Sequence, residues 1–323
     1  VIAPASPNPA PTRDAAPPTD RPPPGALALC VLASGSAGNC SVLVFRPAPD
    51  APRRVVLLDA GLSPRRTARL LLDRGIRPDE VDDIVFTHLD TDHCHPSWPA
   101  AIRPGGWRAR LRIHTRHLGR AARAGLLTTP TEPFSDALAI DEHLDAEVCT
   151  LDHDSLGVAA FRFTARSGPH ETHLGFATDL GRVTDRLTDL LAGVDLLAIE
   201  SNYCPRLQHA SDRPDFLKRR ITGGAGHLSN AESADAAAEI APARHLVLLH
   251  LSRQCNTPDL ARAAHAHAEC PVTVTSQHQP TGWIAAAPAP PRRRDHARRR
   301  PPSRAARAAA SLFDLPARGG ATW

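Results

Sequence analysis

The stretch Thr87-His88-Leu89-Asp90-Thr91-Asp92-His93 brings four side chains able to ligate a metal into six residues. It follows directly on residues 81–86, which read as a short strand. The ionisable cluster therefore sits in a loop at the end of a strand, where a rigid scaffold displays its chemistry. In an extended backbone His88, Asp90 and Asp92 would point one way and His93 the other. A tight loop would instead fan all four around nearby cations, and imidazole and carboxylate are ligands that zinc, manganese and iron accept. A polar loop that merely caps strands is the plainer alternative for this segment alone.

Upstream, residues 28–34 read as a buried strand ending at the small-residue turn Ser34-Gly35-Ser36-Ala37-Gly38-Asn39. Residues 41–45 and 54–58 read as further strands, the latter closing on Asp59-Ala60-Gly61. A helix follows: Ser63 can cap it, Pro64 fits its first position, and Ala68, Leu71, Leu72 and Ile76 recur at helical spacing before Gly75 helps to stop it. Downstream, strands are expected near 112–114, 146–151, 159–165, 173–177, 196–199, 245–249 and 272–275, and helices over 185–191, 231–240 and 258–267. His153-Asp154, Thr178-Asp179-Leu180-Gly181 and His250-Leu251-Ser252 each follow one of these strands, so a potential ligand stands at each exit. A dinuclear site needs about this inventory, with one carboxylate able to bridge. Two similar passes of strands and helices suggest two β-rich halves facing each other with helices outside.

Taken in order with Glu200-Ser201-Asn202 and Gly226-His227-Leu228-Ser229-Asn230, these segments resemble the YycJ/WalJ-like branch of the metallo-β-lactamase-fold hydrolases, over about residues 28–285. The resemblance implies an α+β fold, an αββα four-layer sandwich of two mixed β-sheets with helices outside. It also implies two divalent metal ions (zinc or manganese, iron being a further option) and a metal-dependent hydrolase of the phosphodiesterase kind, like a DNA exonuclease. Residue by residue, His88 and His153 match ligands of the first metal, Asp92, His93 and His250 those of the second, and Asp179 the bridging carboxylate. Asp59 matches a position that orients a ligand, and His227 a phosphate contact or proton donor to the leaving oxygen, with capping of the following helix as its structural alternative. Asp92 or Asp179 would accept the proton of the attacking water. The branch carries a second histidine where this chain has Asp90. A ligating aspartate there would favour a harder ion, manganese or iron over zinc. His95 and Tyr203 read as a surface histidine and a packing residue, and Cys94 and Cys255 as small buried thiols.

Composition bounds the setting. Prolines crowd into the two ends, so the expected organisation is a Pro/Ala-rich tail over 1–26, a hydrolase domain over 27–286 and a basic tail over 287–323. Residues 291–323 hold nine arginines against Asp295 and Asp314, a balance of +7 that leaves −3 for the rest of a chain whose total is +4. Such a tail could bind nucleic acid through its charge, or be solvated low-complexity sequence. Residues 310–315 loosely resemble the short Leu-Phe motifs that dock a sliding clamp. Seven scattered cysteines without a CxxC pair argue against a disulfide framework, and no run of eighteen apolar residues or signal-like start is seen. A cytoplasmic protein with a nucleic-acid substrate and no membrane partner is expected. A small-molecule ester or lactone hydrolase on the same fold, which would show an apolar pocket beside the metals, and a metal-poor binding module are the competing readings.

Overall fold

The computed structural model describes residues 22–102, 106–128, 130–153 and 155–288. Fourteen strands and eight α-helices run through them. The first half holds β1 (Leu27–Ala33), β2 (Cys40–Phe45), β3 (Arg54–Leu58), α1 (Pro64–Leu72), β4 (Asp83–Val85), α2 (Trp98–Ala101), β5 (Arg110–His114), α3 (Leu118–Arg123) and β6 (Thr131–Phe134). The second holds β7 (Ala137–Ala139), β8 (Leu144–Leu151), β9 (Val158–Ser167), β10 (His170–Ala177), α4 (Asp185–Leu191), β11 (Leu196–Glu200), α5 (Pro205–Ala210), α6 (Asp215–Thr222), α7 (Asn230–Ile240), β12 (His245–Leu249), α8 (Pro258–Ala264) and β13 (Val272–Val274). The last strand, β14 (Ile284–Ala286), returns to the first sheet beside β1.

Two seven-stranded sheets result, in the orders β14-β1-β2-β3-β4-β5-β6 and β13-β12-β11-β10-β9-β8-β7. Each is mixed: β1–β3 and β7–β10 pair antiparallel, while β3–β6 and β10–β13 pair parallel. Alternate side chains of each strand serve different layers. Leu29, Phe45, Leu58, Phe161, Phe163 and Leu174 meet between the sheets. Leu32, Val42, Leu57 and Ile84 face outward onto Leu71, Trp98 and Ala121 of the first helical layer. Leu197, Ile199 and Leu248 face Leu187, Ala237 and Ala261 of the second. Strands buried on both faces lose the polar alternation of a half-exposed strand, which is why β1 reads as an unbroken apolar run. The expected αββα sandwich is the observed fold.

Helix starts follow local chemistry. Ser63 accepts from the Arg66 backbone N–H to begin α1, and Ser229 with Glu232 forms a capping box on α7. The α7 cap is therefore Ser229, not His227. Several expected elements differ in extent; α1, expected to carry Ile76, ends at Leu72. The strand expected over 81–86 narrows to β4, and the helix expected to reach residue 267 ends at Ala264, where the His265 ring bonds back to the Ala261 carbonyl and to Ser233. The sequence reading did not find α2, α3, β6, β7, α5, α6 or β14. The expected tails lie almost wholly outside the described residues, and residues 310–315 entirely so. Among the described residues no helix is long and apolar enough to cross a membrane.

Candidate metal centre

The ends of β3, β4, β8, β10, β11 and β12 deliver Asp59, the 88–93 loop, His153, Asp179, Glu200 and His250 to one edge of the sandwich. Local backbone geometry makes this convergence possible. Asp59, Asp179 and His250, each just beyond its strand, hold φ values of 60°, 55° and 53°. Side chains other than glycine rarely adopt this left-handed region, at a cost of roughly 1–3 kcal/mol each. Three such residues in one site point to a constellation held for function. Gly61 serves the same end by absence of a side chain: a Cβ there would stand 1.8 Å from the Asp92 carbonyl oxygen. The Ser34–Asn39 turn supports the site from the other side. Ser34 accepts from the His250 backbone N–H at 2.8 Å, and the Asn39 backbone N–H donates to the Asp92 carbonyl at 2.7 Å.

The histidines are oriented in a common way. The His93 Nδ1–H donates to Asp59 at 2.7 Å, and Asp59 also accepts from the Thr87 backbone N–H at 2.8 Å. The His153 Nδ1–H donates to the Gly226 carbonyl at 3.1 Å, and His88 Nδ1 lies 3.0 Å from the Thr87 hydroxyl. For His88 and His153 the contact leaves Nε2 as the ring atom available to a cation, the arrangement that metal-ligating histidines adopt, while His93 Nε2 faces the Asn39 amide at 3.0 Å. His88, Asp90 and His153 then form one group whose ligand atoms lie within 4.8 Å of one another, and Asp92, His93 and His250 form another. Asp179 joins the two neighbourhoods: its ligand atom groups with those of His88 and His93 within 4.8 Å, and its two oxygens each lie 2.8 Å from a nitrogen, Nε2 of His93 and Nδ1 of His250. The sequence-predicted residues are thus brought together, Asp154 alone lying outside the described residues.

Charge and burial fit a divalent ion. Asp59, Asp179 and Glu200 are fully or almost fully buried, and buried carboxylates demand nearby positive charge. Burial, with His93 and His153 alongside, holds His88 well below the ordinary imidazole range, the neutral form that binds metal. Burial would do the same to His93, but Asp179 and Asp59 hold its proton well above that range, against the release that ligation requires. Among the described residues both buried ring nitrogens of His250 lack a hydrogen-bond partner despite their nearness to carboxylates. Nitrogen close to carboxylate but not aligned for a hydrogen bond suits a shared cation.

Asp90 is placed differently from a free ligand. One carboxyl oxygen is 2.6 Å from a guanidinium nitrogen of Arg120 on α3, and the other is 3.8 Å from His88 Nε2. His95 does not join the cluster, since its Nδ1 accepts from the Ser97 backbone N–H. Cys94 is buried, which pushes its thiol up to about 12 and leaves it a poor ligand near neutral pH. Tyr203 packs with Ile221 and Cys255 under Leu207 and Leu217.

The second half of the site is less visible in sequence. Glu200 accepts from the His227 ring at 2.7 Å and from the backbone N–H groups of Leu180 and Leu228. Burial would lower His227, but Glu200, then Asp179 and Asp92, raise it to about 9. Gly226 lets the His227 loop press against α6, because a Cβ there would meet the Arg220 and Ile221 carbonyl oxygens at 2.4 and 2.5 Å. A cavity of about 360 Å³ opens over the cluster, lined by His88, Asp92, Asp179 and His227 together with Arg213 and Arg220. Hydrogen bonds to Gln208, Ser252 and Gln254 fix the Arg213 guanidinium.

Residues 54–251 match the family model of the beta-lactamase superfamily domain. The chain is 28% identical over 244 residues to the exodeoxyribonuclease WalJ of Streptococcus pneumoniae, covering 72% of this chain and 84% of that protein. It is 28% identical over 247 residues to the exodeoxyribonuclease YycJ of Bacillus anthracis, covering 73% and 86%. Among solved structures it superposes on the metallo-beta-lactamase fold protein YhfI of Bacillus subtilis with a TM-score of 0.57 at 17% identity, over 79% of this chain and 99% of that one.

Proposed function

The chain belongs to the beta-lactamase superfamily, and from that membership we propose that it is a metal-dependent phosphodiesterase that degrades DNA as an exonuclease. The observation that carries the reading is that Arg213 and Arg220 line the same cavity as the histidine–aspartate cluster. Guanidinium groups match phosphate oxygens in charge and in paired donors. An ester or lactone hydrolase would instead need apolar walls at that place. Two relatives named as exodeoxyribonucleases support the same class.

In this reading residues 27–286 are the hydrolase domain, working in the cytoplasm, where free thiols persist. His88, Asp90 and His153 would hold one divalent ion and Asp92, His93 and His250 the other, with Asp179 available to both. Ions bound there supply the Lewis acidity that readies water for attack near neutral pH and offsets charge on the phosphoryl oxygens. Asp59 fixes the His93 ring through Nδ1. Arg213, itself fixed by three hydrogen bonds, orients the phosphate in the cavity. Asp92 lies half-buried on the cavity wall and accepts the proton of the attacking water. His227, kept protonated by Glu200, donates to the leaving oxygen.

Asp90 sets the metal preference. A carboxylate partly neutralised by Arg120 offers hard oxygen and little softness, so manganese or iron suits this group better than zinc. Asp90→His is expected to raise zinc affinity relative to manganese by roughly tenfold or more. Competition titrations of both metals check this, and an unchanged ratio would remove Asp90 from the ligand set. The reading as a whole is tested by offering the manganese- or zinc-loaded protein end-labelled single- and double-stranded DNA and RNA alongside carboxylic esters and lactones. Stepwise shortening of DNA is the expected result. Faster turnover of esters with no polynucleotide cleavage would replace the nuclease reading with its rival.

A further inference from the structure

Residues 205–222, between β11 and α7, carry two short helices whose apolar side is anchored on Tyr203, Ile221 and Cys255. Their outward side is unlike the rest of the protein. Arg206, Arg213, Lys218, Arg219 and Arg220 stand against only Asp212 and Asp215, while the chain outside its arginine-rich end is net negative. Phe216, on α6, is 68% exposed, and no other Phe, Trp or Tyr is exposed among the described residues. It precedes Arg220 by four residues, so the two side chains are neighbours on one helix flank. Arg220 and Leu217 line the cavity over the metal centre, and Arg220 has no ion-pair partner among the described residues. An exposed ring is thus set beside a free cation at the rim of the cavity.

Resting on the nuclease reading, we propose that this flank of α6 is the entry platform for a single-stranded DNA end, with Phe216 stacking on a base and Arg220 holding an adjacent phosphate. Stacking on an aromatic side chain tolerates any base, because every base has a π-face, and cationic residues beside it track the backbone. The combination suits an enzyme that must pass successive nucleotides over one site without reading sequence. An apolar partner surface would instead call for a wider greasy patch than one ring among cations.

The test measures binding to hydrolysis-resistant, phosphorothioate-linked strands by fluorescence anisotropy with the full-length, manganese-loaded protein. One strand is oligothymidylate, and the other is an abasic strand of equal length and linkage. The nine arginines of residues 291–323 would bind both alike, so base dependence isolates the ring. Phe216→Ala should weaken oligothymidylate binding about tenfold, leave the abasic strand unchanged and be rescued by Phe216→Trp. Arg220→Ala should weaken both strands equally and flatten the salt dependence. Equal affinities of wild type and Phe216→Ala for oligothymidylate, or an equal loss on both strands, would overturn the platform. If DNA is nevertheless cleaved, the nuclease reading survives that failure. Base-dependent, Phe216-dependent binding without cleavage of any polynucleotide would uphold the platform and overturn the reading.

Discussion

Asp179→Ala is expected to lower the rate of DNA cleavage by about a thousandfold or more, the scale seen when one member of a tightly coupled catalytic unit is removed. Its carboxylate stands 2.8 Å from nitrogens of both His93 and His250, and no other side chain touches both as closely. The Thr178 hydroxyl donates to it at 2.9 Å, and the left-handed backbone at Asp179 aims it inward. The loss should appear in bound metal as well as in rate, because Asp179 groups with His88 and His93 on one side and with His250 on the other. Asp179→Asn keeps the shape and removes the charge, so it should lose metal in the same way. Removing the carboxylate also leaves the buried His93 and His250 rings without their shared partner, so a thermal melt run alongside separates loss of metal from loss of fold. Tyr203→Phe, by contrast, alters a packing residue and should leave the rate within about twofold. Equal effects of the Asp179 and Tyr203 substitutions, read as single-turnover rates with metal content measured alongside, would remove Asp179 from the centre of the site.

His227→Asn is expected to cost about 10²- to 10⁴-fold in rate with metal content unchanged, the ordinary contribution of a positioned proton donor. Glu200 provides the handle that separates this role from a structural one. The Glu200 carboxylate offsets the effect of burial and raises His227 to about 9. The donating form is therefore present below that value and is lost as pH rises through it, which places an alkaline limb of the rate near pH 9. Glu200→Gln retains an oxygen for the Leu180 and Leu228 backbone N–H groups but withdraws the charge. The limb should then move toward the ordinary imidazole value of about 6.5. A pH–rate profile decides it. An unmoved limb in Glu200→Gln would assign the limb to another group and leave His227 without the role of acid.

Much of this site was legible because its ligands are fixed by local sequence. The 88–93 loop carries its donors within six residues, and Asp59 and His250 each follow a strand that announces itself by apolar composition. The caps of α1 and α7 are likewise local, since Ser63 and Ser229 act within three residues of themselves. What stayed hidden depends on contacts distant in sequence. Glu200 closes β11 as one more buried residue, and its bond to His227 spans 27 positions. The Asp90–Arg120 pair joins a loop to a helix that has almost no apolar face of its own. Helix α6 buries only Ile221 fully and is otherwise crowded with charge, so periodicity gave no signal for it, nor for the arginines it brings to the cavity. Strands such as β7 and β14 are three residues long and are defined by their partners alone.

The central claim is that the convergent histidines and carboxylates work through bound divalent ions. The most direct measurement is the shortening of end-labelled single-stranded DNA by one preparation before chelation, after exhaustive EDTA treatment, and after manganese is restored. Cleavage that disappears with the chelator and returns with manganese is the predicted result. An undiminished rate in excess EDTA would contradict it.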